Sequence, residues 1–287
     1  MSPAGNRSSI SARTTAYGLF GCPVKHSLSP AMQNAAFAAV GFDGSYVALP
    51  VAPDDLESAI RGARALGFGG MNVTVPHKEA VVPLCAALDD VAAQVGAVNV
   101  LARHARGWAG FNTDAPAVRG LLTDAGIGPL SRALVLGAGG AARAAVWALV
   151  AMGANVRISA RRPGAAEELA RDMTRTLDLP EGSIRTVDWE GVAPEAIQSD
   201  AIVNATTVGL ANHAGELPAL AWKTGQVALD FVYGETAFAR SARANGARLV
   251  TGEQVLVRQG ALAFKIWLGR SAPEDVMAKA IERHGRR

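Results

Sequence analysis

Lysine 78 ends the segment Asn72-Val-Thr-Val-Pro-His-Lys78, and its surroundings suit a residue that carries a proton. The run Gly70-Met-Asn-Val-Thr-Val reads as a short buried strand. Pro76 then stands where a helix begins, which places Lys78 in the first helical turn. An ammonium group there opposes the positive end of the helix dipole, and partial burial disfavours its charge further. The chain has five lysines against 23 arginines, so most of its positive charge sits on a group that does not deprotonate. A lysine in this position fits general acid/base chemistry; the plainer alternative is a solvated lysine after a strand, and the neighbouring segments favour the first.

Those segments supply groups for a small polar ligand. In His26-Ser27-Leu-Ser29-Pro30, Ser29 reads as an N-cap and Pro30 as the first helical residue. Two hydroxyls beside free helical N–H groups form a site for a carboxylate, although Ser29 taken alone reads as a cap. Asn72 and Asn99 each interrupt a valine-rich strand, where an amide must either bond backbone or face a polar ligand. Asp114, in Gly110-Phe-Asn-Thr-Asp114, is either a plain N-cap or a carboxylate that orients the Lys78 ammonium.

A second constellation binds a dinucleotide. Arg132-Ala-Leu-Val-Leu-Gly137-Ala138-Gly139-Gly140-Ala141-Ala142 is a hydrophobic strand, a Gly-x-Gly-x-x-Ala turn and the start of an Ala-rich helix. The first glycine makes the turn, the second admits the pyrophosphate, and the third position needs only a small residue for helix–strand packing. Glycines also serve ordinary turns, but the strand before and the helix after them favour the dinucleotide. The next strand ends in Ile158-Ser-Ala-Arg161-Arg162. It lacks the acid that would hold a ribose 2′-hydroxyl and offers two guanidiniums that can clamp a 2′-phosphate, so the expected cofactor is NADP.

The elements that must position these groups alternate between apolar runs and Ala-rich amphipathic segments, the pattern of an α/β fold with parallel sheets. Strands are expected at Tyr17–Gly21, Ser45–Pro50, Gly70–Val75, Ala97–Ala102, Ala133–Gly137, Asn155–Ala160, Ala201–Ala205, Val227–Asp230 and Arg248–Val250. Helices are expected over 30–40, 54–66, 115–125, 140–152, 164–176, 236–245, 255–268 and 274–284. With 287 residues, 49% of them hydrophobic, and a mean hydropathy of +0.17, the chain can form two cores. The expected division is a disordered tail over 1–14, a substrate domain from 15–114 plus 253–287, and a Rossmann-type NADP-binding domain over 115–252. After Gly252 only helices remain, and these return to the first domain.

Composition excludes several classes. A net charge of +3 with scattered arginines is no nucleic-acid stripe. Cys22 and Cys85 form no disulfide framework, the five histidines show no ligand spacing, and no metal is expected. No run is long and apolar enough to span a bilayer, and the first residues lack the apolar stretch of a secretory signal, so a cytoplasmic protein is expected.

Taken in order, Ser27-Leu-Ser29-Pro30, Asn72-Val-Thr74-Val-Pro-His-Lys78, Gly96-Ala-Val-Asn99, Asn112-Thr-Asp114, Gly137-Ala-Gly-Gly-Ala141, Asn204-Ala-Thr206, Asp230-Phe-Val-Tyr233 and Gln259-Gly-Ala-Leu-Ala-Phe264 resemble the shikimate dehydrogenase family. The likeness runs from about Tyr17 to about Leu268. It implies two domains separated by a cleft and reversible NADPH-dependent reduction of 3-dehydroshikimate to shikimate, a step toward chorismate and the aromatic amino acids. By the same resemblance Ser27 and Ser29 hold the substrate carboxylate. Thr74, Asn99, Asp114, Tyr233 and Gln259 bind the substrate's hydroxyls, Asn72 is a further substrate-binding candidate, and Lys78 with Asp114 is the catalytic pair. Gly137, Ala138, Gly139, Gly140, Ala141, Arg161, Arg162, Thr206, Phe231 and Gly252 match cofactor positions. Three departures stand out: Ala160-Arg161-Arg162 replaces Asn-Arg-Thr, Val255 replaces a frequent methionine, and Ala115-Pro116 replaces a glycine. The partners implied are small molecules only, and a homodimer is left open. Alternatives are a quinate/shikimate dehydrogenase using NAD, an aminoshikimate dehydrogenase, and a dinucleotide sensor without turnover; the sensor has no use for an acid/base pair.

Overall fold

The computed structural model describes residues 10–162, 164–209 and 215–285. In chain order the elements are β1 (Thr15–Gly21), α1 (Ser29–Ala39), β2 (Gly44–Pro50), α2 (Leu56–Ala65), β3 (Gly70–Val73), β4 (Ala87–Leu88), α3 (Asp90–Val95), β5 (Val100–His104), β6 (Gly107–Phe111) and α4 (Asp114–Asp124). They continue with β7 (Arg132–Leu136), α5 (Gly140–Ala151), β8 (Asn155–Ser159), α6 (Ala165–Thr176), β9 (Ile184–Thr186), α7 (Val192–Gln198), β10 (Ala201–Asn204), β11 (Val227–Asp230), α8 (Ala237–Ala244), β12 (Arg248–Val250), α9 (Gly252–Leu268) and α10 (Glu274–Gly285). Of the expected tail, residues 1–9 lie outside the described residues. Ser11–Thr14 is a turn, closed by Thr14 N–H to Ser11 O and tied to Asp43 by the Thr14 hydroxyl at 2.7 Å.

The chain forms two compact units. One holds the residues up to Asp89, Val98–Phe111 and those from Val257 onward; the other holds Asp90–Ala97 and Asn112–Leu256. The first contains a six-stranded sheet in the order β2-β1-β3-β5-β6-β4. Strands β2, β1 and β3 run parallel, β5 runs antiparallel to β3, and β6 antiparallel to β5. Its core is aromatic: Tyr17, Phe37, Phe42, Phe264 and Trp267 stack with centroids 5.1–6.0 Å apart. Gly70 is required here, because a Cβ would lie 2.2 Å from Trp267 Nε1, which donates to Leu101 O at 3.1 Å.

The second unit is a parallel six-stranded sheet in the order β12-β11-β10-β7-β8-β9, the doubly wound order of a dinucleotide-binding fold. Parallel sheets must be covered on both faces, and alternation along β7 shows how this is met. Ala133 and Val135 join the cluster built with α4, α5 and α6, while Leu134 and Leu136 join the one built with α7 and α8. The strand order reverses between β7 and β10. Such a switch point leaves a crevice at the carboxyl ends of the strands.

Candidate active site

In the first unit, the groups expected to meet substrate sit at the carboxyl ends of β1 and β3. Thr74 N–H donates to Phe20 O at 2.9 Å, and a Cβ on Gly21 would lie 2.4 Å from Thr74 Cγ2, so the two strand ends are in close contact. Ser29 is the first residue of α1 rather than its N-cap. Leu28 holds the cap position, and the Ser27 hydroxyl accepts from Ser29 N–H at 3.2 Å. The serine pair still lies beside the first-turn N–H groups, the feature that suits it to a carboxylate.

Lys78 is not in a helix, contrary to the reading of Pro76 as a helix start. The Val75–Pro76 bond is cis, and a turn closes with His77 N–H donating to Thr74 O at 2.9 Å. The Lys78 carbonyl accepts from Val98 N–H at 2.8 Å, while Val82 N–H goes to Glu79 O. A single helical-type bond, Val81 N–H to His77 O at 2.9 Å, spans Lys78, and with no ladder of aligned peptides following it the dipole argument for Lys78 falls away. What fixes this turn is His77, 1% exposed, whose ring Nε2 lies 2.8 Å from Val51 O. The half-buried Lys78 thus follows a residue locked on both its backbone and its side chain.

Asn72 and Asn99 divide into two roles. The Asn72 amide, expected on substrate, is committed within the protein: Oδ1 accepts from Tyr46 Oη at 2.7 Å and Nδ2 donates to Asn99 O at 3.0 Å. Its side chain is buried among strands, where these bonds satisfy it. Asn99 is held by its backbone, with N–H to Phe111 O at 3.0 Å and Val73 N–H to Asn99 O at 2.9 Å. Its Nδ2 reaches Gln259 Oε1 at 3.4 Å, which brings two expected ligand residues, from α9 and the start of the β5 segment, to one place. Tyr46 lies in no motif, and His77, although inside the Asn72–Lys78 motif, has no role legible from its type and spacing.

In the second unit, Gly137 has φ +116°, and a Cβ would lie 2.8 Å from Ala205 O, so only glycine lets the ends of β7 and β10 approach this closely. Gly139 is the N-cap of α5, and a Cβ there would meet nothing within 4 Å. That open space beside the first-turn N–H groups of Gly140 and Ala141 fits a pyrophosphate, and Ala142 is fully buried as the packing position requires. Arg161 and Arg162 are exposed in the bend between β8 and the Gly164 N-cap of α6. The residues present fit NADP.

Asp114 opens α4, and the cap is supplied by Asn112: its Oδ1 accepts from Ala115 N–H at 3.0 Å and its Nδ2 donates to Ala97 O at 2.8 Å. Asp114 is thus the first residue of α4 rather than its N-cap. Burial, followed by the negative charges of Asp114 and Glu253, pushes the Tyr233 phenol up to about 12, which keeps it a hydrogen-bond donor at neutral pH. A Cβ on Gly252 would lie 2.6 Å from Val232 O, and Gly234 N–H donates to Glu253 Oε1 at 2.8 Å, so the start of α9 packs against the Phe231–Gly234 segment. Among the described residues no group of three or more His, Cys, Asp or Glu is arranged to hold a metal, and no helix is long and apolar enough to cross a membrane.

Residues 19–101 match the shikimate dehydrogenase substrate binding domain, and residues 252–282 match the shikimate 5′-dehydrogenase C-terminal domain. A shikimate dehydrogenase (NADP(+)) of Anaeromyxobacter sp. (strain K) is 58% identical over 273 residues, covering 95% of this chain and 98% of that protein. The crystal structure of a shikimate dehydrogenase in complex with NADP+ superposes with a TM-score of 0.89 at 34% identity, covering 99% of both chains. That of shikimate 5-dehydrogenase from Thermus thermophilus, in complex with NADP(H) and shikimate, gives 0.82 at 37% identity, covering 94% of this chain and 99% of that one.

Proposed function

This chain belongs to the shikimate dehydrogenase family, and from that premise we propose that it catalyses the reversible NADPH-dependent reduction of 3-dehydroshikimate to shikimate in the cytoplasm. The observation that carries the reading is the set of side chains that its two units present. One unit has a locked turn bearing Lys78 with the Ser27–Ser29, Thr74 and Asn99–Gln259 groups, and the other has a doubly wound dinucleotide site with Asp114 and Tyr233. The bound cofactor supplies or accepts the hydride. The protein's own residues do the rest.

Ser27 and Ser29, beside the first turn of α1, hold the substrate carboxylate. Thr74, Asn99, Gln259 and Tyr233 bind the ring hydroxyls, with Tyr233 as a donor because its phenol stays protonated. In the reductive direction Lys78 gives its proton to the oxygen of the ring carbonyl, and in the oxidative direction it takes that proton from the hydroxyl. Asp114 is assigned as the second member of the catalytic pair. Gly137 through Ala141, with Thr206, Phe231 and Gly252, hold the diphosphate and nicotinamide parts of the cofactor, and Arg161 and Arg162 take the 2′-phosphate. On this assignment the first unit is the substrate domain and the second the NADP domain, with Asp90–Ala97, Asn112–Asp114 and Glu253–Leu256, expected in the substrate domain, grouped with the second.

The test is a pair of substitutions. Lys78→Ala and Lys78→Arg are both expected to lose turnover by roughly 10²- to 10⁴-fold while retaining NADPH binding, because arginine keeps the charge but not the removable proton. Substantial turnover in Lys78→Arg would sink the acid/base role.

A further inference from the structure

Asn204 and Asp230 have no task in the reaction above, yet they are among the most deeply buried polar side chains described, at 0% and 1% exposure. They stand opposite each other in register at the carboxyl ends of β10 and β11. Asn204 Nδ2 donates to Asp230 Oδ1 at 2.9 Å. From this pair, bonds run into the loop that follows each strand. Asn204 Oδ1 accepts from Thr206 N–H at 3.2 Å and from Thr206 Oγ1 at 2.7 Å, and Thr206 Oγ1 accepts in turn from Val208 N–H at 3.2 Å. Asp230 Oδ1 accepts from Val232 N–H at 3.0 Å, and Oδ2 accepts from Thr236 Oγ1 at 2.5 Å. Thr236 caps α8 by accepting from Ala239 N–H, and a Cβ on Gly209 would lie 3.1 Å from its Cγ2, so the two loops also pack together.

A buried carboxylate is an expensive way to join two strands. The backbone ladder already joins them, and the preceding residues of both strands are apolar. Burial pushes the Asp230 carboxyl up from its ordinary value, opposed by the bonds from Thr236, Val232 and Asn204. What an apolar pair would lack is direction: acceptors at fixed points for the N–H and O–H groups of both loops. These loops carry Thr206, Phe231 and Tyr233, the residues assigned above to cofactor and substrate. We infer that Asn204 and Asp230 are positioning residues, one hydrogen-bonded unit that sets the 205–209 and 231–236 loops jointly and through them aligns Thr206, Phe231 and Tyr233. The inference rests on the proposed function for the identity of the ligands.

The test compares Asp230→Asn, Thr236→Val and the exchanged pair Asn204→Asp/Asp230→Asn with the wild type. Readouts are KM for shikimate and for NADP+, kcat, NADPH affinity from protein-fluorescence quenching, and the melting temperature. An amide at 230 turns one of its acceptor sites into a donor, so Asp230→Asn is expected to raise both KM values and the NADPH Kd by roughly tenfold, the scale of one hydrogen bond to a charged group. Thr236→Val, which removes one bond to Asp230, is expected to move the same constants in the same direction by about threefold, and it serves if Asp230→Asn does not fold. The exchanged pair restores the link between 204 and 230 and is expected to recover part of the loss. Folded variants with a lowered melting temperature but with constants within about twofold of wild type would reduce the pair to a strut and overturn the inference. A wild type inert toward shikimate would instead reject the proposed function, and the NADPH titration would still decide the positioning role.

Discussion

Replacing Tyr46 by Phe removes one oxygen from the interior of the first unit, and the structure sets the expected cost. Tyr46 is 1% exposed, and its hydroxyl lies 2.7 Å from Asn72 Oδ1 in a place water does not reach. Losing a donor to a buried acceptor costs about 1–3 kcal/mol, which for a unit of this size lowers the melting temperature on the order of 5 °C. A second effect follows from the direction of the Asn72 amide. Tyr46→Phe removes the donor that holds Oδ1 toward position 46 and thereby Nδ2 toward Asn99 O, a bond 3.0 Å long. Asn99 shares Gln259 with the proposed hydroxyl site, so KM for shikimate is expected to rise by roughly three- to tenfold, the equivalent of about 1 kcal/mol. KM for NADP+ is expected to stay within about twofold of wild type, because the dinucleotide residues belong to the other unit. Thermal melts followed by circular dichroism and steady-state kinetics with each ligand varied in turn measure both effects. An unchanged melting temperature together with an unchanged shikimate KM would refute the link from Tyr46 through Asn72 to Asn99.

Three further outcomes follow. Neutralising Arg161 and Arg162 together to Gln is expected to raise KM for NADPH by roughly 10- to 100-fold and to leave that for NADH nearly unchanged; a parallel loss of both would remove the 2′-phosphate clamp. Gly137→Ala places a Cβ 2.8 Å from Ala205 O at φ +116°, so it is expected to destabilise the second unit by about 1–3 kcal/mol and to weaken NADPH binding, as read by a melt and a fluorescence titration. Burial pushes Cys85 up to about 11 from 9.0 and Tyr233 up to about 12 from 10.0, so the native chain keeps protons that the unfolded chain loses. That stability is fully present below pH 9 and is lost as pH rises through 12. Urea melts should show the decline, and Cys85→Ser should remove its lower part.

The second unit was more legible in the sequence than the first. Its strands are apolar runs between Ala-rich helices, and β11 and β12 fall at the expected bounds. In the first unit the hairpin partner β6 escaped notice because three residues of Gly107-Trp-Ala-Gly-Phe111, Gly107, Ala109 and Gly110, have low strand propensity. Its stability comes from tertiary contacts: a Cβ on Gly110 would collide with Val98 and Cys85, and Arg64 donates to the carbonyls of His104, Ala105 and Gly107. The short helices α3 and α7 were missed for want of two full turns of periodicity. Pro76 misled in the opposite way. Pro near a strand end signals a helix start or a turn equally, and the partner that decided, Val98 N–H on the Lys78 carbonyl, lies twenty residues away. The same distance problem hid Tyr46 and His77, whose roles exist only through Asn72 and Val51.

Which alcohol and which dinucleotide this chain joins is read directly by the increase in reduced-nicotinamide absorbance on mixing protein with each combination. Shikimate and quinate are each offered with NADP+ and with NAD+. The highest kcat/KM is expected for shikimate with NADP+, because quinate adds a hydroxyl and a saturated carbon beside the carboxylate that Ser27 and Ser29 receive, and because Arg161 and Arg162 favour a 2′-phosphate. Equal kcat/KM for quinate and shikimate, or for NAD+ and NADP+, would contradict the proposed function.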